Sequence, residues 1–371
     1  MDNVVYILGA GFSAPLRLPV VSNFLERARD LYQSNTAKYQ HFERVFEGIK
    51  KMGYVPLYYQ SDLTNIEEVL SILEMERLCG NVSKEETDNF IRFIKDVIEG
   101  FTPFVTEYAT IYNYKWIDKG IYRSRGATHD WTVEDGCYPE TDDPDEHWHA
   151  YGNFVLRLFH AKLKAVAVGG EYPNIHRLDE DVPYEHEPTD FEVFCQFDTS
   201  PSTNYSVITL NYDMVLENFA EHFSSFTSGE ELKFSRPGTG LREGSPMLVK
   251  LHGSVHDGTV IPPTWNKSLH PKIEQEWKQA YKLLSSANHI CILGYSLPEN
   301  DAYVRYLLKS SLLETGNLKT IDVVCVDNDG TVRKRYDSFI LLKHPKYRFI
   351  NAKVQAFLPF IHSYPTMDGM I

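Results

Sequence analysis

Apolar positions recur along this chain in two different rhythms, and the change between them divides it. Val4-Val5-Tyr6-Ile7-Leu8 is a compact apolar run that predicts a strand over 3–8, followed by a glycine turn and a helix near 21–34. Helical spacing then dominates. Phe42, Val45, Phe46 and Ile49 share one face, as do Ile66, Val69, Leu70 and Leu73. Ser83-Lys-Glu-Glu86 has the form of a capping box ahead of Phe90, Phe93, Ile94 and Val97. The stretch 151–168, with Phe154, Val155, Leu158, Phe159, Leu163 and Val166, predicts a further helix. Two acidic segments, 129–149 and 170–192, are poor in aliphatic residues and predict long loops.

From residue 204 the period shortens. Strands are predicted at 205–210, 246–251, 288–294, 320–327 and 347–350, and helices at 212–224, 272–287, 300–314, 329–341 and 352–362. Val207-Ile-Thr-Leu210, Met247-Leu-Val-Lys-Leu251, Ile290-Cys-Ile-Leu293 and Ile321-Asp-Val-Val-Cys-Val326 are the short apolar runs of strands buried on both faces. Strands alternating with helices imply right-handed crossovers and a parallel sheet. The expected fold class is α/β: a Rossmann-like doubly wound parallel sheet with a large helical insertion domain. Residues 1–30 plus 204–371 would form the sheet domain, and 31–203 the mainly helical insertion.

The composition is that of an ordinary globular protein, with 371 residues, 43% hydrophobic and 24% charged. No stretch approaches the roughly 18 apolar residues of a membrane span. The N-terminus runs directly into the first strand without a basic leader region, so a cytoplasmic protein with no membrane contact is expected. A net charge of −14 disfavours direct nucleic-acid binding, which depends on neutralising phosphates. The five cysteines, Cys79, Cys137, Cys195, Cys291 and Cys325, include no Cys-x-x-Cys pair. That spacing argues against a zinc module or a disulfide framework, and Cys291 and Cys325 read as buried packing residues. Asp142-Asp-Pro-Asp-Glu-His147-Trp-His149 reads as a solvated acidic run rather than a metal site.

The chemistry lies at the predicted strand ends. Gly9-Ala10-Gly11-Phe12-Ser13-Ala14 fits a glycine-rich turn that lets the backbone approach a dinucleotide phosphate, or serves as a plain strand–helix turn. Thr209-Leu-Asn211-Tyr-Asp213 supplies an amide and a carboxylate, which either meet a ligand or cap the next helix. Lys250-Leu-His252-Gly-Ser254 brings an imidazole, either a base or a satisfied polar residue. Gly294-Tyr-Ser296-Leu297, with Glu299-Asn300-Asp301 opening a helix, and Val326-Asp327-Asn328-Asp329 complete the set; Asp327 and Asn328 are placed to accept ribose hydroxyls.

The order glycine turn, Asn-x-Asp, Leu-His-Gly, Gly-x-Ser-Leu and an Asp/Asn strand end resembles the sirtuin superfamily, over 1–20 and 205–330. The resemblance implies NAD contacts from Gly9, Ala10, Gly11 and Ser13. It puts Asn211 at the nicotinamide ribose, Asp213 in the nicotinamide pocket and His252 in the role of general base. It assigns Gly294, Ser296 and Leu297 to the cofactor and sets Asp327 and Asn328 near its adenosine end. The paired Cys-x-x-Cys motifs of protein-deacetylating sirtuins are missing after His252, where the chain runs on to Pro262-Pro-Thr-Trp-Asn-Lys267. Pro19-Val-Val-Ser-Asn-Phe24 stands where that family has Pro-Asp-Phe-Arg, and Leu210 stands where it has Gln. The pattern looks like the zinc-free, sirtuin-like bacterial NAD hydrolases of antiviral, abortive-infection defence. Gly9–Pro15 and Gly294–Asp301 carry that likeness, and Asn65-Ile-Glu-Glu-Val-Leu70 does so more loosely. It implies NAD as substrate with no zinc, a homo-oligomer, and a HerA-type hexameric ATPase as a partner. A non-catalytic NAD or ADP-ribose sensor and a protein ADP-ribosyltransferase are the competing readings.

Overall fold

The structure is a computed structural model that describes residues 1–53, 63, 65–102, 131–132, 144–167, 191–229, 231–239, 244–261, 271, 273–299, 301–314, 316–340 and 347–365. Six parallel strands build its main sheet: β1 (Asp2–Leu8), β2 (Thr203–Thr209), β3 (Met247–Lys250), β4 (His289–Leu293), β5 (Thr320–Val324) and β6 (Tyr347–Ile350). Their spatial order is β3-β2-β1-β4-β5-β6, the doubly wound order whose direction reverses between β1 and β4. Register makes the carboxyl ends level. Leu8 lies beside Thr209 and Leu293, Thr209 beside Lys250, and Leu293 beside Val324. Every strand therefore delivers its following loop to one edge.

Alternation along each strand feeds two cores. Val4, Tyr6, Leu8, Val207, Leu248, Cys291 and Leu293 face one, together with helices α5 (Pro144–Leu158) and α6 (Val215–Ser224). Val5, Ile7, Ile208, Val249, Ile290, Ile292 and Val323 face the other, against α7 (Glu274–Ser285), α8 (Ala302–Glu314) and α9 (Thr331–Asp337). A third core joins α1 (Phe24–Ser34), α2 (Phe42–Met52), α3 (Ile66–Leu78) and α4 (Lys84–Phe101). Val255 and Val260, from beyond β3, are buried in it, and Tyr212 and Met214 pack against it. These helices thus lean on the carboxyl edge of the sheet. Their starts follow from local chemistry. Ser83 Oγ accepts the Glu86 amide at 3.2 Å while Glu86 Oε2 accepts the Ser83 amide at 2.9 Å, and Asn65 Oδ1 accepts the Glu67 and Glu68 amides.

The chain departs from expectation between 129 and 192. The helix predicted for 151–168 ends at Leu158; His160 takes φ 54, and Ala161–Ala167 is a strand. Ala161-Lys-Leu-Lys-Ala also alternates, and this period-two pattern wins because an antiparallel partner, Phe191–Phe197, is available to pair with it. Trp131–Thr132 adds a third strand, so this region is not helical alone. Within the segments predicted as loops, 144–149 is helix and 131–132 and 191–192 are strand; 129–130, 133–143 and 170–190 lie outside the described residues. Near the C-terminus, the helix predicted at 352–362 is one α-turn, Val354–Phe357, that tightens into a 3₁₀ segment at Leu358–Ser363, where Pro359 removes a backbone donor. Cys291 and Cys325 are buried, as expected, and Cys137 lies outside the described residues. Among the described residues no helix is long and apolar enough to cross a membrane.

A carboxylate is buried inside the sheet. Asp322 on β5 is fully buried and meets Arg348 on the edge strand β6, Nε to Oδ1 at 2.5 Å. Removing one partner of a buried ion pair strands the other, so Arg348→Met is expected to cost about 3–5 kcal/mol in urea denaturation. An unchanged midpoint refutes this pairing as the tie that holds β6.

Candidate functional site

At the reversal point the loops after β1 and β4 meet backbone to backbone. Gly9 N–H donates to Leu293 O at 3.0 Å, Gly11 N–H to Gly294 O at 2.9 Å, and Gly294 N–H to Val324 O at 2.8 Å. A Cβ on Gly9 would stand 2.6 Å from Tyr295 Cα, and one on Gly294, which has φ 65, would stand 2.3 Å from Gly11 C. Close approach therefore explains the glycines, and the Gly11 amide serves this contact. The one-turn helix Ala10–Ser13 that follows is held by α5, whose Tyr151 hydroxyl donates to Phe12 O.

Asn211, at the end of β2, reaches across to that turn. Its Nδ2 donates to Gly9 O at 2.9 Å and to Ser13 Oγ at 3.0 Å, and its backbone amide donates to Thr209 Oγ1 at 3.1 Å. Asp213 joins the cluster. Its Oδ1 accepts the Val215 amide at 3.1 Å, and the Ser13 hydroxyl bonds its carboxylate. Burial of that carboxyl raises its pKa above the ordinary value; the Lys250 charge, the Ser13 hydroxyl and the Val215 amide pull the other way.

Lys250 lies behind this cluster, 1% exposed. Its Nζ meets Glu217 Oε1 at 2.8 Å and donates to Asp213 O at 2.5 Å. The Lys250 amide donates to Glu276 Oε2 at 2.8 Å, and Arg236 bridges Glu276 at 3.3 Å and Glu217 at 3.8 Å. This half-buried network links β3, α6 and α7 around the backbone that carries Asp213.

Ala10, Ser13, Asn211 and Asp213 line a cavity of about 90 Å³ that α3 and α4 also line, through Ile66, Glu67 and Ile94. That volume is below the roughly 300–1,000 Å³ of a drug-sized ligand site, so it holds one small ring at most. His252 is not on this wall. It is 3% exposed, with Nε2 3.6 Å from Asp301 Oδ1, and its ring stands 6.0 Å from that of Tyr212, which itself lines the cavity. The Tyr212 hydroxyl donates to Ile261 O at 3.0 Å.

The remaining predicted residues are spread along the edge. Leu297 is fully buried with φ 50, and Ser296 O accepts from Arg335 Nη1 at 3.3 Å. Asp327 uses both carboxylate oxygens on the Val332 and Arg333 amides of α9, at 3.2 and 3.0 Å, while Asn328 is exposed; neither lines the cavity. Sequence reasoning passed over Glu67, the Lys250–Glu217 pair and the Asp301 partnership with His252. A lysine inside Met247-Leu-Val-Lys-Leu251, otherwise a buried run, was the available signal for the second. Among the described residues no group of three or more His, Cys, Asp or Glu is placed to hold a metal ion.

Residues 205–349 match the family model described as SIR2-like domain. The match runs from β2 into β6, so the SIR2-like segment contains Asn211, Asp213, His252, Gly294, Ser296, Leu297, Asp327 and Asn328, and the glycine turn lies outside it. No curated protein matches the chain. Among solved structures, Sir2Tm bound to a propionylated peptide is similar at a TM-score of 0.36 and 11% identity, covering 98% of this chain and 93% of that one. A Sir2–p53 peptide–NAD⁺ complex gives 0.34 and 12%, with 98% and 93% covered. Sir2 with the inhibitor EX-527, 2′-O-acetyl-ADP-ribose and deacetylated p53 peptide gives 0.31 and 12%, with 98% and 94% covered. The fold class of this chain rests on its own strand order.

The raised Asp213 carboxyl gives a pH signature. Such a group binds its proton more tightly folded than unfolded, so its stabilising contribution is present below the ordinary carboxylate value and is lost as pH rises through the raised one. Asp213→Asn removes that loss. The variant is expected to gain stability relative to the parent protein as pH rises across this window, measured by urea denaturation at a series of pH values. A difference flat in pH contradicts burial as the dominant influence on Asp213.

Proposed function

We propose that the chain is an NAD hydrolase, cleaving NAD to nicotinamide and ADP-ribose. The observation that carries this reading is the Asn211 amide bridging Gly9 O and Ser13 Oγ beside Asp213, on a cavity at the carboxyl edge of a doubly wound sheet. The SIR2-like match over 205–349 supports it. In the reaction the C1′–N bond breaks and its electron pair passes to the pyridinium nitrogen, so nicotinamide leaves neutral without an acid. Water adds to C1′ and loses one proton, and the enzyme's task is to orient the ribose, stabilise the developing cation and take that proton.

In this reading the cavity takes the nicotinamide ring, Asp213 holds the carboxamide and Asn211 orients the ribose hydroxyl and the water. His252 accepts the proton from either one, which requires the ribose to extend past Tyr212. Gly294, Ser296, Leu297, Asp327 and Asn328 would attend the rest of the dinucleotide. The chain would act without zinc in the abortive-infection setting that its motifs resemble. It would work as a homo-oligomer with a HerA-type ATPase as partner, and with 31–203 as the controlling domain. The near-complete burial of His252 favours a second reading, a module that binds NAD or ADP-ribose and signals without turnover.

Chromatography of purified protein incubated with NAD decides between them. Wild type is expected to yield nicotinamide and ADP-ribose, and Asn211→Ala and His252→Ala each to slow this about 100- to 10,000-fold. Variants as fast as wild type contradict the assignment. NAD retained intact in long incubations, alone and with the genomic neighbour, supports the binding module, and ADP-ribose recovered on protein supports transfer.

A further inference from the structure

We propose that Asp301 is a positioning residue for His252: a buried carboxylate that holds Nε2–H of the imidazole and thereby makes Nδ1 the proton-accepting nitrogen. This rests on the hydrolase reading above and names a residue that reading does not use.

The geometry is specific. Asp301 is 4% exposed and His252 3%, with Nε2 3.6 Å from Asp301 Oδ1. The other carboxylate oxygen, Oδ2, accepts the Tyr295 hydroxyl at 2.9 Å. Tyr295 is itself fixed, since the Tyr336 hydroxyl donates to its carbonyl at 2.8 Å and its Cα and Cβ press on the position where Gly9 lacks a side chain. The Asp301 backbone opens α8, donating to Pro298 O at 3.1 Å and accepting the Arg305 amide at 3.3 Å. One oxygen meets a tyrosine and the other faces an imidazole on a neighbouring strand end.

A carboxylate held out of water needs compensating groups around it, and the Tyr295 hydroxyl and the imidazole are two of them. The arrangement works in both protonation states. In the resting state neutral His252 presents Nε2–H to Asp301 and keeps its lone pair on Nδ1. When water attacks C1′, its proton passes to Nδ1 and the imidazolium forms an ion pair with Asp301, which does not itself take the proton; His252 then releases it to solvent. Closing the 3.6 Å separation by a few tenths of an ångström gives an ordinary N–H···O bond.

Other charged or titratable groups also face this pair. Tyr212 lies against the ring of His252, Glu67 and Glu74 of α3 act on the Tyr212 phenol, and Glu67 also acts on Tyr295. Lys250, two residues back on β3, directs its ammonium at Glu217 and the Asp213 carbonyl.

The test is a histidine-labelled NMR titration, with the His252 signal assigned by its loss in His252→Gln, run in parallel with pH–rate profiles of NAD consumption. Asp301→Asn is expected to lower the His252 titration midpoint by about 1 unit or more. It is expected to reduce kcat roughly 100-fold with KM nearly unchanged, and to move the acidic limb of kcat/KM to lower pH, since the free base then persists to lower pH. Asp301→Glu, which keeps the charge, is expected to restore most of the midpoint. If Asp301→Asn does not fold, Asp301→Ser provides the same neutral comparison. A His252 midpoint that stays put overturns the pairing whatever the NAD activity. If Asn211→Ala abolishes turnover but Asp301→Asn moves the midpoint and leaves rate and pH profile at wild-type values, the positioning role is overturned. Wild type that leaves NAD intact fails the hydrolase reading and with it the catalytic part of this proposal, while the titration still decides the pairing.

Discussion

The loops after β1 and β4 meet backbone to backbone, because Gly9, Gly11 and Gly294 leave no Cβ between them. The rest of the candidate site depends on this contact. It sets the Gly9 carbonyl and Ser13 where the Asn211 amide can bridge them, so two loops widely separated in sequence become one surface. On the opposite flank it presses against Tyr295, whose hydroxyl holds Asp301 beside His252. An alanine at Gly294 would meet both a left-handed backbone and a neighbour at 2.3 Å, so strain and clash coincide at one position.

Around this frame the protein manages charge by enclosure. Lys250, Glu217, Arg236 and Glu276 form a closed network whose ammonium rests on the Asp213 carbonyl, which explains how a strand end bearing a buried lysine is tolerated. Asp213 is enclosed enough for burial to outweigh the favourable groups near it. His252 and Asp301 form a second enclosed pair, set apart from the cavity by Tyr212. The helical segment contributes more than cover, since Glu67 and Ile66 from the start of α3 complete the cavity wall.

Much of the architecture was legible in the residue pattern, for identifiable reasons. The second-half strands are short, apolar and separated by helical spacing, so alternation alone implied a parallel sheet. The capping box at Ser83 is local chemistry, complete within four residues, and it forms as read. The reading failed at 161–167, where a helical and an alternating pattern overlap and a distant antiparallel partner decides between them. It was also incomplete at Asp327. The residue type suits a ribose hydroxyl, and in the fold both oxygens also accept amides of α9.

By itself, the sequence determined the fold class, the presence of polar loops at strand ends, and the likeness of their order to sirtuins, because each depends on periodicity or on residues close together in the chain. Which of those residues meet was decided only by the tertiary structure. Strand order and level register bring Asn211 to Ser13, and the turn after β4 carries Asp301 to His252. Such contacts arise from packing across the sheet edge, and their partners lie up to hundreds of positions apart in the chain, where no local pattern can record them.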